Sequence, residues 1–320
     1  MSNLKWGLIG YGDLADKRVA AALQSAHGST LLGVWGRDFS KTQEFASRHE
    51  IERAHENLPS LLESDVDAIY VCTPPGSHAE YSRAALEAGK HVLVEKPMAS
   101  SVDECETMIV SATKNNVMLG VAYYRRAFPK MQKIKSLIDA GVLGVPTWVN
   151  IAAHSWFAPA HDDPKHWRVE KSKSGGAGAL ADIGVHRLDL LDFWLGASRV
   201  LFSHQQHLVQ NYEVEDGASA VLELKNGAPV HCYFSWNSKT WIDRFEIVGS
   251  EGKIIAEPLD SDSLVVIRGR ECEEFKIAPP QNAHLPIVED FVRAIADRST
   301  PLCDGQAGLR TNQLLEQIIA

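Results

Sequence analysis

Residues 5–15, with the sequence KWGLIGYGDLA, join a short apolar segment to a glycine-rich turn. The segment Lys5–Ile9 is mostly apolar on both faces, which is typical of a strand covered on both sides of a parallel sheet. A helical pattern, Asp13–Ser25, begins within the turn. A strand, a glycine turn and a helix in this order indicate the first βα unit of an α/β domain.

The same alternation continues to about Ala122. Further candidate strands, short and mostly apolar, are Thr30–Trp35, Ala68–Cys72, His91–Val94 and Met118–Ala122. The candidate helices between them are Ser40–His49, Leu58–Glu63, His78–Ala88 and Val102–Asn115. This order predicts a doubly wound parallel sheet joined by right-handed crossovers.

The pattern becomes rich in strands after Tyr123. The candidate strands of this second half are Thr147–Ala153, Val200–Val209, Ala218–Leu224, Val230–Trp236, Arg244–Val248, Lys253–Glu257 and Leu264–Arg268. Its candidate helices are Phe128–Ala140, Ile287–Asp297 and Gln306–Ile319. Turn dipeptides such as Asn226-Gly227 are typical of antiparallel pairing. We therefore predict an α/β protein with two domains, residues 1–122 and 123–320.

Composition excludes several classes of protein. The length of 320 residues agrees with two domains of about 150 residues each, and 45% hydrophobic content is typical of a folded protein. The net charge of −9 argues against a nucleic-acid or anionic-membrane partner. No apolar run approaches the ~18 residues of a membrane span. Five scattered cysteines without a CxxC spacing, and charges at positions 13–18 that no secretory signal has, predict a cytoplasmic protein.

The turn after the first strand carries residues expected to contact a dinucleotide. Its glycines permit a tight bend and a close approach of backbone N–H groups to a pyrophosphate. Ala15 stands where the dinucleotide fingerprint has its third small residue. The candidate cofactor residues of this turn are Gly10, Tyr11, Gly12, Asp13, Leu14 and Ala15.

The end of the second candidate strand bears on the choice of cofactor. An NAD enzyme usually places an acid about 20 residues beyond the glycines, where it binds the ribose 2′-hydroxyl. This chain has Gly36 and Arg37 there, and a guanidinium pairs well with a 2′-phosphate or stacks on adenine. NADP(H) is therefore favoured, while the adjacent Asp38 keeps NAD(H) possible.

Two further segments follow candidate strands and so belong to the ligand-binding edge of the sheet. Cys72, Thr73 and Pro74 follow one strand, and Glu95 and Lys96 follow the next. A desolvated lysine at such a place has a lowered pKa and can hydrogen-bond a substrate hydroxyl.

The most informative part of the second half is GGAGALADIGVHRLD, residues 175–189. If the chain is helical from Asp182, then Asp182, His186 and Asp189 share one face. A carboxylate one turn from an imidazole can orient it and select its tautomer, as a general acid/base requires. The alternative interpretation is a capping aspartate beside a structural histidine.

Together these segments resemble the Gfo/Idh/MocA oxidoreductase family, the relatives of glucose–fructose oxidoreductase and inositol dehydrogenase. The resemblance rests on residues 10–15, Thr73-Pro74, His78, Glu95-Lys96-Pro97, Trp167-Arg168 and Asp182–His186. It implies an N-terminal Rossmann domain and a C-terminal α/β domain with an open, largely antiparallel sheet. Because that sheet commonly serves as an oligomer interface in the family, a homodimer or homotetramer acting on a small molecule is expected.

The resemblance also implies roles for individual residues. Lys96 matches the family's active-site lysine, His186 its acid/base and Asp182 the carboxylate beside it. Trp167 and Arg168 match a pair near the nicotinamide. Further implied cofactor contacts are Gly36, Arg37, Cys72, Thr73, Pro74, His78, Glu95 and Lys96, and the implied substrate contacts are Lys96, Asp182, His186 and Tyr124.

The implied reaction is reversible hydride transfer between C4 of a nicotinamide and a carbinol or carbonyl carbon of a sugar, polyol or related small molecule. Two other functions share the fold: a regulator that senses a dinucleotide without turnover, and an NAD-dependent lyase or glycosidase that oxidises a sugar transiently. Lys96 and His186 argue against the regulator, which needs no proton transfer.

Two groups of residues have simpler interpretations. The spacing of His154, His161 and His166 matches no helical ligand pair, so a polar loop is favoured over a metal site and no metal is expected. A solvated helix face is expected for Lys130, Lys133 and Lys135.

Overall fold

The computed structural model describes residues 3–196 and 198–320, which form two compact units. The first unit comprises the chain up to Ala127 together with Gln281–Asn312. The second comprises Phe128–Pro280 and Gln313–Ala320. The predicted domains 1–122 and 123–320 stay a prediction; in the structure, residues 281–312 group with the chain up to Ala127.

Strands and helices alternate in the first part of the chain, and strands dominate from β7 to β14. The strands of the described chain are β1 (Leu4–Ile9), β2 (Ser29–Trp35), β3 (Arg53–His55), β4 (Ala68–Val71), β5 (His91–Val94), β6 (Leu119–Val121), β7 (Pro146–Trp156), β8 (Ser198–Gln206), β9 (Gly217–Leu224), β10 (Pro229–Ser235), β11 (Asn237–Gly249), β12 (Lys253–Ala256), β13 (Ser263–Arg268) and β14 (Glu271–Lys276). The α-helices are α1 (Ala20–Ser25), α2 (Phe39–Arg48), α3 (Leu58–Leu62), α4 (His78–Glu87), α5 (Val102–Lys114), α6 (Pro129–Asp139), α7 (Lys171–Ser174), α8 (Val185–Leu195), α9 (Leu285–Asp297) and α10 (Gly305–Ile319). Wide π-helical turns precede α1 and α8, at Ala15–Val19 and Leu180–Gly184.

The first unit contains a parallel sheet with the strand order β3-β2-β1-β4-β5-β6 in the described residues. This is the Rossmann order, in which the direction of winding reverses between β1 and β4. The predicted doubly wound sheet is thus confirmed. The sequence pattern missed β3, because this three-residue edge strand contains Arg53 and His55 and lacks an apolar run.

The second unit contains a sheet of eight described strands in the order β14-β13-β12-β11-β7-β10-β9-β8. Neighbouring strands are antiparallel except β7 and β10, which are parallel. The predicted largely antiparallel sheet is confirmed. The missed strand β14 lies at the edge and is mostly charged and exposed, so it has no hydrophobic alternation.

Helix α9 joins the first unit because its apolar face completes the core beside β1. The Phe291 side chain is 1% exposed, and its ring centroid lies 5.8 Å from that of Trp6. Burial of one such side chain stabilises a fold by about 1.5–3 kcal/mol. A Cβ on Gly120 of β6 would lie 2.8 Å from Phe291 Cε2, so this strand position needs glycine for the helix to pack.

The core of the second unit lies between the sheet and α8. Trp194 of α8 packs edge-on against Phe245 of β11, with ring centroids 4.9 Å apart, and its indole N–H donates to the Met131 carbonyl at 3.1 Å. Arg187 donates to Asp243 of β11 at 2.5 Å and to the Ile183 carbonyl at 2.7 Å. These contacts anchor both ends of α8 to its surroundings.

The prediction that Lys130 lies on a solvated helix face is wrong. Its side chain is buried, and the ammonium donates to the carbonyls of Pro258 and Ser263, each at 3.1 Å. Burial lowers the pKa of Lys130 to about 8, against the opposing effect of nearby Asp260. The helical pattern did not show this, because the acceptors come from a loop more than a hundred residues away.

Candidate active site

The glycine turn of the first unit has one position that is closed to side chains and one that is open. Gly10 has φ of +100°, and a Cβ there would lie 2.4 Å from the carbonyl oxygen of Cys72. Around a Cβ built on Gly12 nothing lies within 4 Å. The N–H of Asp16 donates to the Gly12 carbonyl at 2.9 Å, so the helical chain starts immediately after the turn. The exposed backbone at Gly12 is therefore free of neighbouring side chains on this side, as a phosphate-binding turn requires.

Other residues of the turn face the end of β2 or the helix. A Cβ on Gly36 would lie 2.0 Å from the ring of Tyr11, and the Tyr11 hydroxyl accepts from the N–H of Asp38 at 3.2 Å. Asp13 forms an ion pair with Lys17 at 2.5 Å. Within the turn, Ala15 is buried and Leu14 is partly buried against the core.

The two charged residues after β2 differ in what they contact. The Asp38 carboxylate accepts from the N–H of Lys41 at 3.2 Å and caps α2. The Arg37 side chain is exposed. A carboxylate engaged as a helix cap is less available to a ribose hydroxyl, whereas an exposed guanidinium is available to a phosphate.

The loops after β4 and β5 are joined by a buried imidazole. His78 is 0% exposed, and its ring nitrogens lie 2.8 Å from the carbonyl oxygens of Thr73 and Pro97. Burial lowers the pKa of His78, although both carbonyls act in the opposite direction. His78 had been expected to contact the cofactor. In the structure both ring nitrogens face chain carbonyls, so the ring lies between the two loops, and the cofactor contact stays a prediction.

The other residues after β4 line the same edge. Burial raises the pKa of the Cys72 thiol well above its usual value, so the thiol stays protonated. Pro74 precedes a short helical turn, and the Ser77 hydroxyl donates to the Thr73 hydroxyl at 2.9 Å. Thr73 is partly buried and is thereby held in place beside the glycine turn.

Glu95 is a buried anion immediately before Lys96. Its Oε1 accepts from the Tyr70 hydroxyl at 2.7 Å and faces Nε2 of His284 at 3.1 Å. Its Oε2 accepts from the backbone N–H of Lys96 at 3.2 Å. Burial opposes ionisation, but the hydrogen bonds from His284 and Tyr70 and the charge on Lys96 hold the pKa of Glu95 below its ordinary value. Lys96 itself is partly buried.

Tyr124 follows β6 in a short helical turn. Its hydroxyl accepts from Nη1 of Arg125 at 3.1 Å, and its ring centroid lies 4.6 Å from that of His284.

The sequence analysis did not identify Tyr70 and His284 as residues of this site. The tyrosine lies within an apolar strand, and the histidine lies almost 190 positions beyond its carboxylate partner, so neither offered a local signal.

The first unit therefore assembles its predicted residues along one edge of the sheet. The glycine turn follows β1, Thr73 follows β4, Lys96 follows β5 and Tyr124 follows β6. These are the carboxyl ends of the strands at and beyond the point where the winding reverses, which is where open α/β sheets bind ligands.

In the second unit, Asp182 forms an ion pair with Arg168. Nη1 of Arg168 lies 3.2 Å from the Asp182 carboxylate, and the guanidinium carbon lies 5.5 Å from the ring centroid of Trp167. The predicted pair Trp167-Arg168 thus lies beside Asp182, although Arg168 and Asp182 are 14 positions apart along the chain.

The helix that carries His186 begins differently from the expectation. Asp182 lies in the π-helical turn Leu180–Gly184 and His186 lies in α8, so the two residues do not share one regular α-helix. The wider turn changes the angle between their side chains, and such turns occur frequently at functional sites. Asp189 is buried, whereas Asp182 is partly exposed. The chain is thus helical from Asp182, but its first turn is π-helical, and the shared face of Asp182, His186 and Asp189 stays a prediction.

Glu215, an acid that the sequence analysis did not identify, fixes the start of the π-helical turn Leu180–Gly184. The buried Glu215 carboxylate accepts from the N–H groups of Gly178 and Leu180 at 2.7 and 2.9 Å. Burial raises the pKa of Glu215, although these two hydrogen bonds oppose the rise. A Cβ on Gly178 would lie 2.3 Å from the Glu215 carbonyl oxygen, so the glycine-rich approach has a packing reason. The acid at the start of a strand region, Val214-Glu215-Asp216, was the available signal.

The three histidines expected in one polar loop have separate environments, because His154 lies within β7 while His161 and His166 follow that strand. His154 packs edge-on against Tyr233 at 4.8 Å, and burial lowers the pKa of His154. His161 and His166 stack with centroids 4.8 Å apart. Among residues 3–196 and 198–320, no group of three or more His, Cys, Asp or Glu side chains is placed to hold a metal ion. In that same part of the chain, no helix is both long and apolar enough to span a bilayer.

Two family models match the chain. The model described as "Oxidoreductase family, NAD-binding Rossmann fold" matches residues 4–123, and the model described as "GFO/IDH/MocA C-terminal domain" matches residues 131–255. The chain belongs to the Gfo/Idh/MocA oxidoreductase family, as the resemblance of its motifs predicted. It is an NAD(P)-dependent oxidoreductase, and its cofactor is a nicotinamide dinucleotide.

Several oxidoreductases are similar to this chain over nearly its full length. Oxidoreductase P35 of Formosa agariphila is 28% identical over 315 residues, 97% of each chain. The 1,5-anhydro-D-fructose reductase of Ensifer adhaerens is 29% identical over 312 residues, 95% of this chain and 92% of that enzyme. A variant of a 3-ketoreductase from Actinomadura kijaniata, solved with TDP-benzene and NADP, is 25% identical with a TM-score of 0.86, covering 99% of this chain and 97% of that one.

Proposed function

We propose that this protein transfers a hydride reversibly between the nicotinamide of NADP(H) and a carbinol or carbonyl carbon of a sugar, polyol or related small molecule. The observation that carries the proposal is the half-buried Lys96 beside an ionised Glu95, on the same sheet edge as an open glycine turn. A dinucleotide turn needs no such lysine for binding alone, whereas carbonyl reduction needs a group to stabilise the oxygen.

The assignment of cofactor-binding residues starts from the open backbone at Gly12. In this proposal the turn from Gly10 to Ala15 holds the pyrophosphate, and the loop at Cys72–Pro74 borders it. Arg37 pairs with the 2′-phosphate, which is the reason for preferring NADP(H) to NAD(H). Trp167 and Arg168 bind near the nicotinamide.

The chemistry of the substrate oxygen is assigned to residues of this chain. The nicotinamide supplies or accepts the hydride when bound. Lys96 donates a hydrogen bond to the reacting oxygen and stabilises its developing negative charge. His186 returns a proton to that oxygen on reduction and removes it on oxidation. Asp182, held by Arg168, orients the substrate or the imidazole, and Tyr124 contacts the substrate.

A substrate panel together with one variant tests the proposal. NADPH consumption is measured with keto-sugars, and NADP⁺ reduction with sugars and polyols. Replacement of Lys96 by methionine is expected to lower kcat about 10²–10³-fold, the usual effect of removing one donor to the reacting oxygen. The affinity for NADPH, measured by fluorescence titration, should remain within about twofold. Wild-type protein that binds NADPH but turns over none of the panel, or a variant with normal kcat, would refute the proposal.

We also propose a homodimer or homotetramer formed through the second face of the eight-stranded sheet. On β7, the residues that face the core are buried, namely Val149, Ile151 and Ala153. The alternate residues of the same strand stay only partly covered, namely Trp148, Asn150 and Ala152. Analytical ultracentrifugation of the wild type should give at least a dimer. The variant Ala152→Arg should shift the equilibrium towards the monomer. A wild-type monomer at micromolar concentration would contradict the idea.

We propose that the protein is cytoplasmic, because of the state of its cysteines. All five are free thiols, and four are buried. Reduced thiols of this kind are typical of the cytoplasm. Localisation of a fluorescent fusion checks the assignment.

A further inference from the structure

One buried histidine of the first unit has no place in the mechanism proposed above. The His284 ring is 0% exposed, and it lies between the Glu95 carboxylate and the ring of Tyr124. Its segment immediately precedes α9, the helix that completes the core of this unit. A buried imidazole that contacts both a carboxylate and an aromatic ring can restrict the orientation of these two groups.

We propose that His284 is a positioning residue that holds Lys96 and Tyr124 in the orientation their chemistry requires, an inference that rests on the proposed function. It acts on Lys96 through Glu95. Because an ionised carboxylate only accepts hydrogen bonds, the Nε2 of His284 that faces it carries the proton.

The link from His284 to Lys96 consists of three hydrogen bonds to one carboxylate. Oε1 of Glu95 accepts from His284 at 3.1 Å and from Tyr70 at 2.7 Å, while Oε2 accepts from the Lys96 backbone N–H at 3.2 Å. A carboxylate held on both oxygens cannot rotate freely, so it restrains the backbone from which the Lys96 side chain extends. Without His284, Oε1 loses a donor in a site that is nearly closed to water.

The link from His284 to Tyr124 is a ring contact. The centroids lie 4.6 Å apart with an interplanar angle of 42°. On its other side, the Tyr124 hydroxyl accepts from Arg125 at 3.1 Å, so the phenol is held at both ends. Tilted aromatic pairs at this distance attract each other beyond the effect of burial, which favours one orientation of the Tyr124 ring.

His284 is itself firmly mounted. Its backbone N–H donates to the side chain of Asn282 at 2.9 Å, and the Asn282 amide donates to the Arg18 carbonyl at 2.9 Å. The segment before α9 is thereby tied to the helical chain that follows the glycine turn. A rigid support is what a residue needs in order to position others.

The test compares three variants of the full-length protein with NADPH and the best substrate of the panel. His284→Leu removes the donor and the aromatic ring, and His284→Gln restores an amide donor near the position of Nε2. His55→Leu is the matched control, because His55 is also a buried imidazole of this unit but bonds only to Ser60 among the described contacts, at 2.9 Å. For each variant kcat, KM, the Kd for NADPH and the Tm are measured.

The expected result separates positioning from packing. His284→Leu should lower kcat about 10–100-fold, as small misplacements of a catalytic group do, while Kd for NADPH changes less than about threefold. His284→Gln should recover at least about tenfold of the loss in kcat, and His55→Leu should leave kcat near wild type even if its Tm falls. If kcat tracks Tm equally in both leucine variants, or if glutamine recovers nothing, His284 is only a packing residue and the inference is overturned.

A readout without turnover distinguishes failure of this inference from failure of the proposed function. The rate of Lys96 modification by an amine-reactive sulfonate is followed by peptide mass spectrometry in wild type and variants. Release of the lysine loop should accelerate modification several-fold in His284→Leu but not in His55→Leu. Equal rates in all proteins would refute the inference even if the substrate panel succeeds. Accelerated modification with an inactive wild type would instead refute the reductase function alone.

Discussion

Replacing Gly10 by alanine should damage the fold of the first unit, whereas the same change at Gly12 should damage cofactor binding. The two glycines are two positions apart in one turn, but only Gly10 has the left-handed backbone, with φ of +100°. A Cβ there would also lie 2.4 Å from the carbonyl oxygen of Cys72 and 2.9 Å from its carbonyl carbon.

The size of the Gly10→Ala effect follows from these two contributions. A side chain in the left-handed region costs about 1–2 kcal/mol. The overlap is with backbone at the end of β4, which cannot rotate away, and overpacking of this kind costs about 1–3 kcal/mol. The free energy of opening of the first unit should therefore fall by about 2–5 kcal/mol in total.

Hydrogen exchange read at β1 and β4 measures this free energy for the first unit separately from the second. Gly12→Ala is the control, because open space surrounds its Cβ. It should leave exchange nearly unchanged and weaken NADPH binding about tenfold or more, since one charge-assisted hydrogen bond contributes about 1.5–3 kcal/mol. Wild-type exchange in Gly10→Ala, or normal NADPH binding by Gly12→Ala, would contradict these expectations.

Two further predictions concern charge. Arg37→Ala should weaken NADPH binding about tenfold or more by loss of a charge-assisted contact, with NADH binding little changed; equal losses in the two fluorescence titrations would indicate adenine stacking instead. Lys130, with its pKa lowered to about 8, releases its proton in the folded protein before it does so in the unfolded chain. Since the unfolded state then binds more protons, stability should rise between pH 8 and pH 10, by at most about 1.4 kcal/mol per pH unit from this residue. Urea unfolding of wild type and Lys130→Met across this range checks it, and parallel profiles would contradict the assignment.

The Rossmann half could be predicted because its information is local. Buried parallel strands need apolar runs, and the glycine turn needs residues that tolerate its backbone, so both are visible in short windows of sequence. Strands β3 and β14 escaped because edge strands bury little. The residues Lys96, Asp182 and His186 could be singled out from short motifs and their resemblance to a family.

What surrounds those residues depended on the tertiary structure. Glu95 is an anion because Tyr70 and His284 donate to it from distant parts of the chain. Glu215 shapes the turn before α8 across 37 positions, and that turn is π-helical where the periodicity predicted a regular helix. Lys130 was expected in solvent and is buried.

The sequence by itself therefore determined the order of the apolar strands and the glycine turn, because each depends on neighbours within a few positions, and the resemblance of its short motifs gave the chemical class of the protein. Only the tertiary structure decided that α9 belongs with the first unit, that His78 lies between two loops and that His284 contacts Glu95 and Tyr124. Those outcomes depend on which distant groups fill the same volume and complete the same hydrogen bonds, and no periodicity along the chain encodes that choice.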